Sequence, residues 1–182
     1  DRATRLVEQL LQLARLEADA ADAQAREGAQ GTSDLAAAAV RQVQDVYAQA
    51  SARGQHIDLD RPDAPVPVPM SGTLAAVLLR NLIDNALRYG PDGGRVAVQV
   101  RAATGSEGAR LVVEDAGPGL GDEARARLGE RFFRELGSGR SGSGLGWSIV
   151  RRLARLHDLT IDVDRSPVLG GLRVTVRWPA AA

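Results

Sequence analysis

Asn81, Asn85 and Arg88 fall at i, i+4 and i+7 in Asn81-Leu-Ile-Asp-Asn85-Ala-Leu-Arg88-Tyr89, so all three line one side of a helix. The same line runs back through Leu78 and Leu74, which makes the stripe apolar in its first two turns and polar in its last two. An Asn amide oxygen is a hard, neutral donor suited to Mg²⁺, a cation that takes oxygen ligands while keeping waters and phosphate oxygens. Arg88, one turn on, can add charge-assisted hydrogen bonds to phosphate. Taken alone, two Asn on a helix are more often surface or capping residues.

Two further clusters give the first one a context. Asp115-Ala-Gly117-Pro-Gly119 directly follows the apolar run Leu111 to Glu114. An Asp at a strand end can accept a hydrogen bond from an exocyclic amine such as that of adenine, and the glycines let backbone approach a flat ring or adopt positive φ. Gly137 to Gly146 reads Gly-Ser-Gly-Arg-Ser-Gly-Ser-Gly-Leu-Gly before a helical pattern. Gly142, Gly144 and Gly146 at every second position ahead of a helix N-terminus suit a phosphate cradle, because free N–H groups and the helix dipole favour an anion there. The run lacks Gly-Lys-Ser/Thr and does not sit in a βαβ unit, so it is neither a P-loop nor a dinucleotide fingerprint. A plain Asp/Gly turn and a flexible surface loop are the ordinary readings of each cluster in isolation.

The elements that must hold these residues follow from periodicity and punctuation. Residues 1–27 carry Leu6, Leu10, Leu13 and Leu16 at helical spacing with no Gly or Pro until Gly28. Such a stripe needs a partner surface: either the chain's own domain or, as the narrow continuous stripe favours, the rest of a helical bundle or hairpin. Gly28 to Ser33 breaks the pattern. Thr32 or Ser33 can cap a second helix over 34–52, ended by Gly54. Ile57 to Asp60 reads as a strand, and the prolines around Val66 and Val68 reduce that segment to an edge strand at best. Ser71 or Thr73 opens a strong helix to about Arg88, stopped by Gly90 and Pro91. Strands are expected over Arg95–Arg101 and Leu111–Glu114, helices over Asp122–Leu128 and Leu145–Leu156, and a closing hairpin from Thr160–Asp164 and Leu172–Arg177. The sum is an α+β, two-layer sandwich: a mixed, mainly antiparallel sheet covered by three helices and preceded by an N-terminal helix.

Composition narrows the function classes. Lys+Arg and Asp+Glu balance at 23 each, without the basic footprint of a nucleic-acid binder. Cys is absent, which excludes a disulfide framework and thiolate metal sites. The two His, at 56 and 157, are too few for a His-rich metal centre. No apolar run approaches the ~18 residues that span a bilayer. The chain starts at Asp1 rather than Met, so it is expected to be a piece of a longer protein whose remainder could hold membrane spans.

Taken in order and spacing together, these clusters resemble the sensor histidine kinase family, and more broadly the Bergerat-fold ATPases of the gyrase, heat-shock-chaperone and mismatch-repair type. Asn81 to Tyr89 matches that family's N box, and Asp115, Gly117 and Gly119 its first glycine box. Glu130-Arg-Phe-Phe-Arg134 matches the F box and Gly142 to Gly146 the second glycine box. The match extends over essentially the whole chain. It is nearest to bacterial membrane sensor kinases paired with DNA-binding response regulators, judged by Leu10-Leu-Gln-Leu-Ala-Arg-Leu-Glu17 and Ser148-Ile-Val-Arg-Arg-Leu153.

The resemblance implies ATP and Mg²⁺ as cofactors, and the following roles. Asn85 holds Mg²⁺, and Asn81 lies near the phosphates. Arg88 contacts phosphate, Tyr89 frames the nucleotide, Asp115 recognises the adenine amine, and Gly117 and Gly119 shape that pocket. Arg134 and Arg140 are candidates for contacts to the γ-phosphate or to the helical domain. Gly142, Ser143, Gly144, Leu145 and Gly146 form the hinge and phosphate end of a lid, with Phe132 and Phe133 at its other end as anchors or simple packing. Three positions depart from the pattern. Ala116 replaces the usual Asn, and Trp147 replaces the usual Leu, there to pack on the lid or thicken the core. His157, at the end of its helix, is read as structural rather than as the phosphoacceptor.

Residues 1–27 then correspond to the lower part of the second helix of a dimerisation and phosphotransfer hairpin, 28–33 to a linker and 34–179 to the catalytic domain. The first hairpin helix, with the phosphoacceptor His, is not in this sequence. The implied reaction moves the γ-phosphoryl of ATP to that His and onward to the receiver domain of a response regulator. The implied parent is a homodimer in a bacterial inner membrane, with this portion cytoplasmic and without direct nucleic-acid contact. Two other classes stand beside this reading. One is a partner-switching Bergerat-fold ATPase or serine kinase; Asn81, where ATPase relatives use Glu as general base, weighs against it. The other is an interaction module without nucleotide, against which the intact Asn85, Asp115 and glycines weigh.

Overall fold

The computed structural model describes residues 31–121 and 146–180. The expected helices over 1–27 and Asp122–Leu128 lie outside the described residues. Strand β1 (Ser33–Asp34) leads straight into helix α1 (Leu35–Ala52). The cap of α1 is Asp34, not the expected Thr32 or Ser33. Asp34 Oδ1 accepts from Ala36 N at 3.0 Å and from Val66 N at 2.9 Å. Ser33 and Asp34 both pair in a short antiparallel ladder with β3 (Pro67–Val68), and it is Asp34, directly before the first helical residue, whose side chain turns back on the helix. The carboxylate ties two chain segments to one helix end, and these N–H bonds hold it below the usual carboxylate range against the desolvation that acts the other way.

Helix α2 (Gly72–Tyr89) opens with Ser71, whose Oγ accepts from Leu74 N at 3.4 Å, and closes at Gly90-Pro91. Its Leu78, Leu79, Ile83 and Leu87 are wholly buried, each worth about 1.5–3 kcal/mol of transfer free energy. Helix α3 (Gly146–Leu156) packs along α2, placing Ile149, Val150 and Leu153 in the same core. Trp147 is partly buried against that core, as expected of a residue that thickens it, while the lid it was also expected to pack on lies outside the described residues.

One five-stranded sheet backs the helices, in the order β2 (His56–Asp60), β4 (Arg95–Arg101), β5 (Arg110–Asp115), β7 (Leu172–Arg177), β6 (Thr160–Arg165). The β2–β4 pair is parallel and the other three are antiparallel. Register puts Val96 opposite Asp115, Val98 opposite Val113 and Val100 opposite Leu111. Since alternate residues share a face, these side chains, with Val174 and Val176, form the floor under the helices. The opposite face is polar. Asp58 pairs with Arg95 at 2.6 Å, Glu114 with Arg173 at 2.7 Å, and Asp60 with Arg101 and Asp162 with Arg177 also form ion pairs. The expected two-layer α+β architecture is what forms. The proline-bearing segment joins the short β1–β3 ladder rather than the main sheet.

Candidate functional site

The C-terminal half of α2, the start of α3 and the end of β5 converge at one place. Asn81 Nδ2 donates to Val77 O at 2.8 Å, one turn back, which fixes the amide and leaves its oxygen turned toward α3. A Cβ added to Gly146 would stand 3.1 Å from Asn81 Oδ1 and 3.6 and 3.7 Å from the two polar atoms of the Asn85 amide. The first residue of α3 thus faces both Asn side chains. Asn85 Nδ2 is buried without a hydrogen-bond partner. An orphaned buried amide costs about 1–3 kcal/mol, so the position stores an unmet polar demand.

Asp115 ends β5 on the helix-facing side and is 5% exposed. Its Oδ1 accepts from Gly117 N at 2.8 Å and from Leu172 N at 3.2 Å. These bonds converge on one oxygen, and among the described residues no hydrogen bond is made to Oδ2, the acceptor a ligand could use. Burial pushes the carboxyl above the usual Asp range, and the two N–H bonds oppose that rise without cancelling it. Gly117 is forced by its neighbours: a Cβ there would lie 2.7 Å from Tyr89 O and 2.8 Å from Asp115 Oδ1. Gly119 takes φ of 74°, a conformation that favours glycine. Tyr89 and Gly117 therefore abut, and the last turn of α2 joins the Asp115 loop.

That last turn is held from behind by two residues no motif marked. Arg53 donates from Nη1 to Leu87 O at 2.5 Å, from Nη2 to Gly90 O at 3.2 Å, and from Nε to Asp92 Oδ1 at 2.8 Å. Buried Gln55 donates from Nε2 to Leu87 O at 2.9 Å and to Pro91 O at 3.0 Å. Together they satisfy carbonyls that a helix end leaves without partners. A third unmarked residue is Gly171, whose N–H donates to Asp115 O at 3.1 Å. A Cβ there would fall 2.2 Å from Asp115 Oδ1, so no other residue fits. Nothing in the sequence singles Gly171 out between the two hairpin strands; its place beside Asp115 depends on β5 and β7 pairing.

Of the residues singled out in the sequence, the structure brings together Asn81, Asn85, Tyr89, Asp115, Gly117, Gly119 and Gly146. Arg88 lies half-buried in the same last turns of α2 and already takes part in an interaction. Arg134, Arg140, Gly142, Ser143, Gly144 and Leu145, and with them Phe132 and Phe133, lie outside the described residues. Among the described residues no three His, Asp or Glu form a metal-holding group. A cation here would draw on amide oxygen and on oxygens brought by its ligand, and the Asn81–Asn85–Gly146 cradle has that donor chemistry. His157 is half-buried with Nδ1 3.2 Å from Pro69 O, a contact that ties α3 to the segment leading into α2.

Residues 72–182 match the family model described as histidine kinase-, DNA gyrase B-, and HSP90-like ATPase. The sensor protein QseC of Salmonella typhi is 39% identical over 183 residues, covering 98% of this chain and 37% of its own length. The chain thus spans little more than a third of that curated relative. The solved cytoplasmic segment of histidine kinase QseC superposes with a TM-score of 0.61 at 28% identity, covering 100% of this chain and 95% of that one. Full-length ShkA, solved in complex with AMPPNP, gives a TM-score of 0.74 at 26% identity over 98% of this chain and 36% of that one. The chain belongs to this ATPase family, as the catalytic ATP-binding domain of a sensor histidine kinase with the Bergerat fold.

Proposed function

We propose, from that membership, that the chain binds ATP with Mg²⁺ and supplies the γ-phosphoryl group to a His on a separate helical domain, from which it passes to an Asp of a response-regulator receiver domain. The observation that supports this most directly is the convergence of Gly146 on Asn81 and Asn85, next to a buried Asp115 whose hydrogen bonds from the described residues all fall on one carboxylate oxygen. Asp115 Oδ2 accepts the adenine amine. Gly117, Gly119 and the Tyr89 turn shape the ring's slot. Asn85, with Asn81 beside it, holds Mg²⁺; the cation, when bound, neutralises phosphate charge and orients the terminal phosphoryl group. Arg88 and the N–H groups at the start of α3 meet the phosphates. Arg134, Arg140 and the Gly142–Gly146 run act at the γ-phosphate end.

Asn81 has no basic atom to take a proton from water, which supports transfer to a protein acceptor over hydrolysis. Neither His of this chain suits that acceptor role: His157 faces a backbone carbonyl within the fold, and His56 stands on the edge strand β2. The partner is therefore the dimerisation and phosphotransfer hairpin, whose second helix residues 1–27 continue. The parent protein is a homodimeric membrane sensor with this portion in the cytoplasm. No helix among the described residues is long and apolar enough to cross a membrane.

Calorimetry with a non-hydrolysable ATP analogue, with and without Mg²⁺, tests the nucleotide reading. Absence of binding sinks it. Labelled ATP supplied with the purified helical hairpin then tests the transfer. Label on the hairpin His is expected, and free phosphate with an unlabelled hairpin would favour a partner-switching ATPase instead.

A further inference from the structure

The acidic pair at the end of β5 points two ways. Asp115 faces the helices and the nucleotide site, while Glu114, 2% exposed, faces the polar side of the sheet and has no part in the function proposed above. Glu114 Oε1 accepts from Ser166 Oγ at 3.2 Å and lies 2.7 Å from Arg173 Nε. Ser166 is itself 2% exposed and engages all its polar groups. Its Oγ also accepts from Leu169 N at 2.9 Å, its N donates to Gly171 O at 2.7 Å, and its O accepts from Gly170 N at 3.0 Å. This one side chain therefore closes the β6–β7 turn and tethers it to Glu114.

The same turn delivers two N–H groups to Asp115: Gly171 N to its carbonyl and Leu172 N to its carboxylate. Gly119 also rests on it, since a Cβ there would sit 3.6 Å from Gly171 O. The turn is gripped on one face of the sheet and does its orienting work on the other. We infer that Ser166 and Glu114 are positioning residues for base recognition, fixing through the β6–β7 turn which Asp115 oxygen is left to face the base. The inference rests on the nucleotide reading above and adds a second set of residues to it. Their contribution is confined to the base end of the ligand, because neither touches the Asn81–Asn85–Gly146 end.

The test compares binding of the β,γ-imido analogues of ATP and ITP, whose bases differ in the exocyclic amine, each with and without Mg²⁺. Wild-type protein is expected to prefer the adenine analogue. Ser166→Ala is expected to reduce that preference roughly tenfold, the scale of one buried hydrogen bond, while the ratio of affinities with and without Mg²⁺ stays as in wild type. Glu114→Gln keeps an oxygen for Ser166 Oγ to donate to and is expected to retain most of the preference. Ser166→Thr, which restores the hydroxyl, is expected to regain it. A lowered melting temperature with an unchanged base preference in Ser166→Ala would show a merely structural role and overturn the inference. So would an equal loss for both analogues. Wild-type protein that binds neither analogue removes the nucleotide reading and this inference with it, whereas wild-type binding with an insensitive Ser166→Ala removes this inference alone.

Discussion

Gly146 stands so close to Asn81 that a single added carbon would lie 3.1 Å from the Asn81 amide oxygen. The close approach of the two helices at the candidate metal site depends on the lack of a side chain at Gly146. Gly146→Ala fits only if the Asn81 amide yields by a few tenths of an ångström, and that amide is anchored to Val77 O. The variant is expected to weaken Mg²⁺-dependent analogue binding about five- to tenfold, roughly 1 kcal/mol, with the melting temperature held or raised by the gain in helix propensity over glycine. Calorimetry beside thermal unfolding checks both halves.

Asn85→Ala separates the metal from the base. The Asn85 Nδ2 has no partner to lose, so stability is expected to hold or rise slightly. Analogue affinity without Mg²⁺ should stay near wild type, while the enhancement by Mg²⁺ should vanish. A variant that retains the full Mg²⁺ effect would move the metal elsewhere.

Asp115 carries a trade-off between stability and function. Burial raises its folded-state pKa above 3.8, outweighing the N–H bonds from Gly117 and Leu172, so protonation is easier in the folded than in the unfolded chain. The stability this contributes is complete below pH 3.8 and lost as pH rises through the folded value, which leaves the ionised group a liability at neutral pH. Asp115→Asn keeps an oxygen for Gly117 N and Leu172 N but turns an amino group toward the ligand. It is expected to unfold at a slightly higher temperature than wild type and to bind the adenine analogue ten- to a hundredfold more weakly, about 1–3 kcal/mol. Unchanged affinity would exclude Asp115 from base recognition.

Gln55→Ala removes a buried donor from the carbonyls at the end of α2, and Arg53→Ala a charged one. Each is expected to cost about 1–3 kcal/mol, seen as a lower urea midpoint at unchanged slope. Because Tyr89 in that turn abuts Gly117, nucleotide affinity should fall with stability in both variants.

His157 sets a pH dependence of the opposite kind to that of Asp115. Burial depresses its pKa below 6.5, outweighing the Pro69 carbonyl and Asp158, which act the other way. Its contribution to stability is complete above pH 6.5 and is lost as pH falls through the folded value. Melting temperatures measured from pH 7.5 down to 5 should decline more in wild type than in His157→Gln.

Helix α2 was legible because a capping Ser71 and the Gly90-Pro91 stop bracket an unbroken stripe, and β4 because Val96, Val98 and Val100 alternate without interruption. Asp115, Gly117 and Gly119 were legible because their types and spacing are local. Gly171, Gln55 and Ser166 were not. Each does its work on residues more than thirty positions away, at Asp115, at Leu87 and at Glu114 respectively. Nothing in the sequence around them signals that distance. The cap of α1 was misplaced by one or two residues for the same reason, since Asp34 is selected by Val66 across the fold as well as by the helix beside it.

The pairing of β5 with β7 has a consequence for how this domain can vary. Those strands bind residues 110–114 to 173–177, and the chain leaves and re-enters this seam at Asp115 and Leu172. Between those points the chain builds α3 against α2 and returns through β6, which pairs with β7. A one-residue slip of the β5–β7 register would turn the paired side chains to the wrong face and carry Leu172 N away from the Asp115 carboxylate, so core and base site can vary only together along this seam.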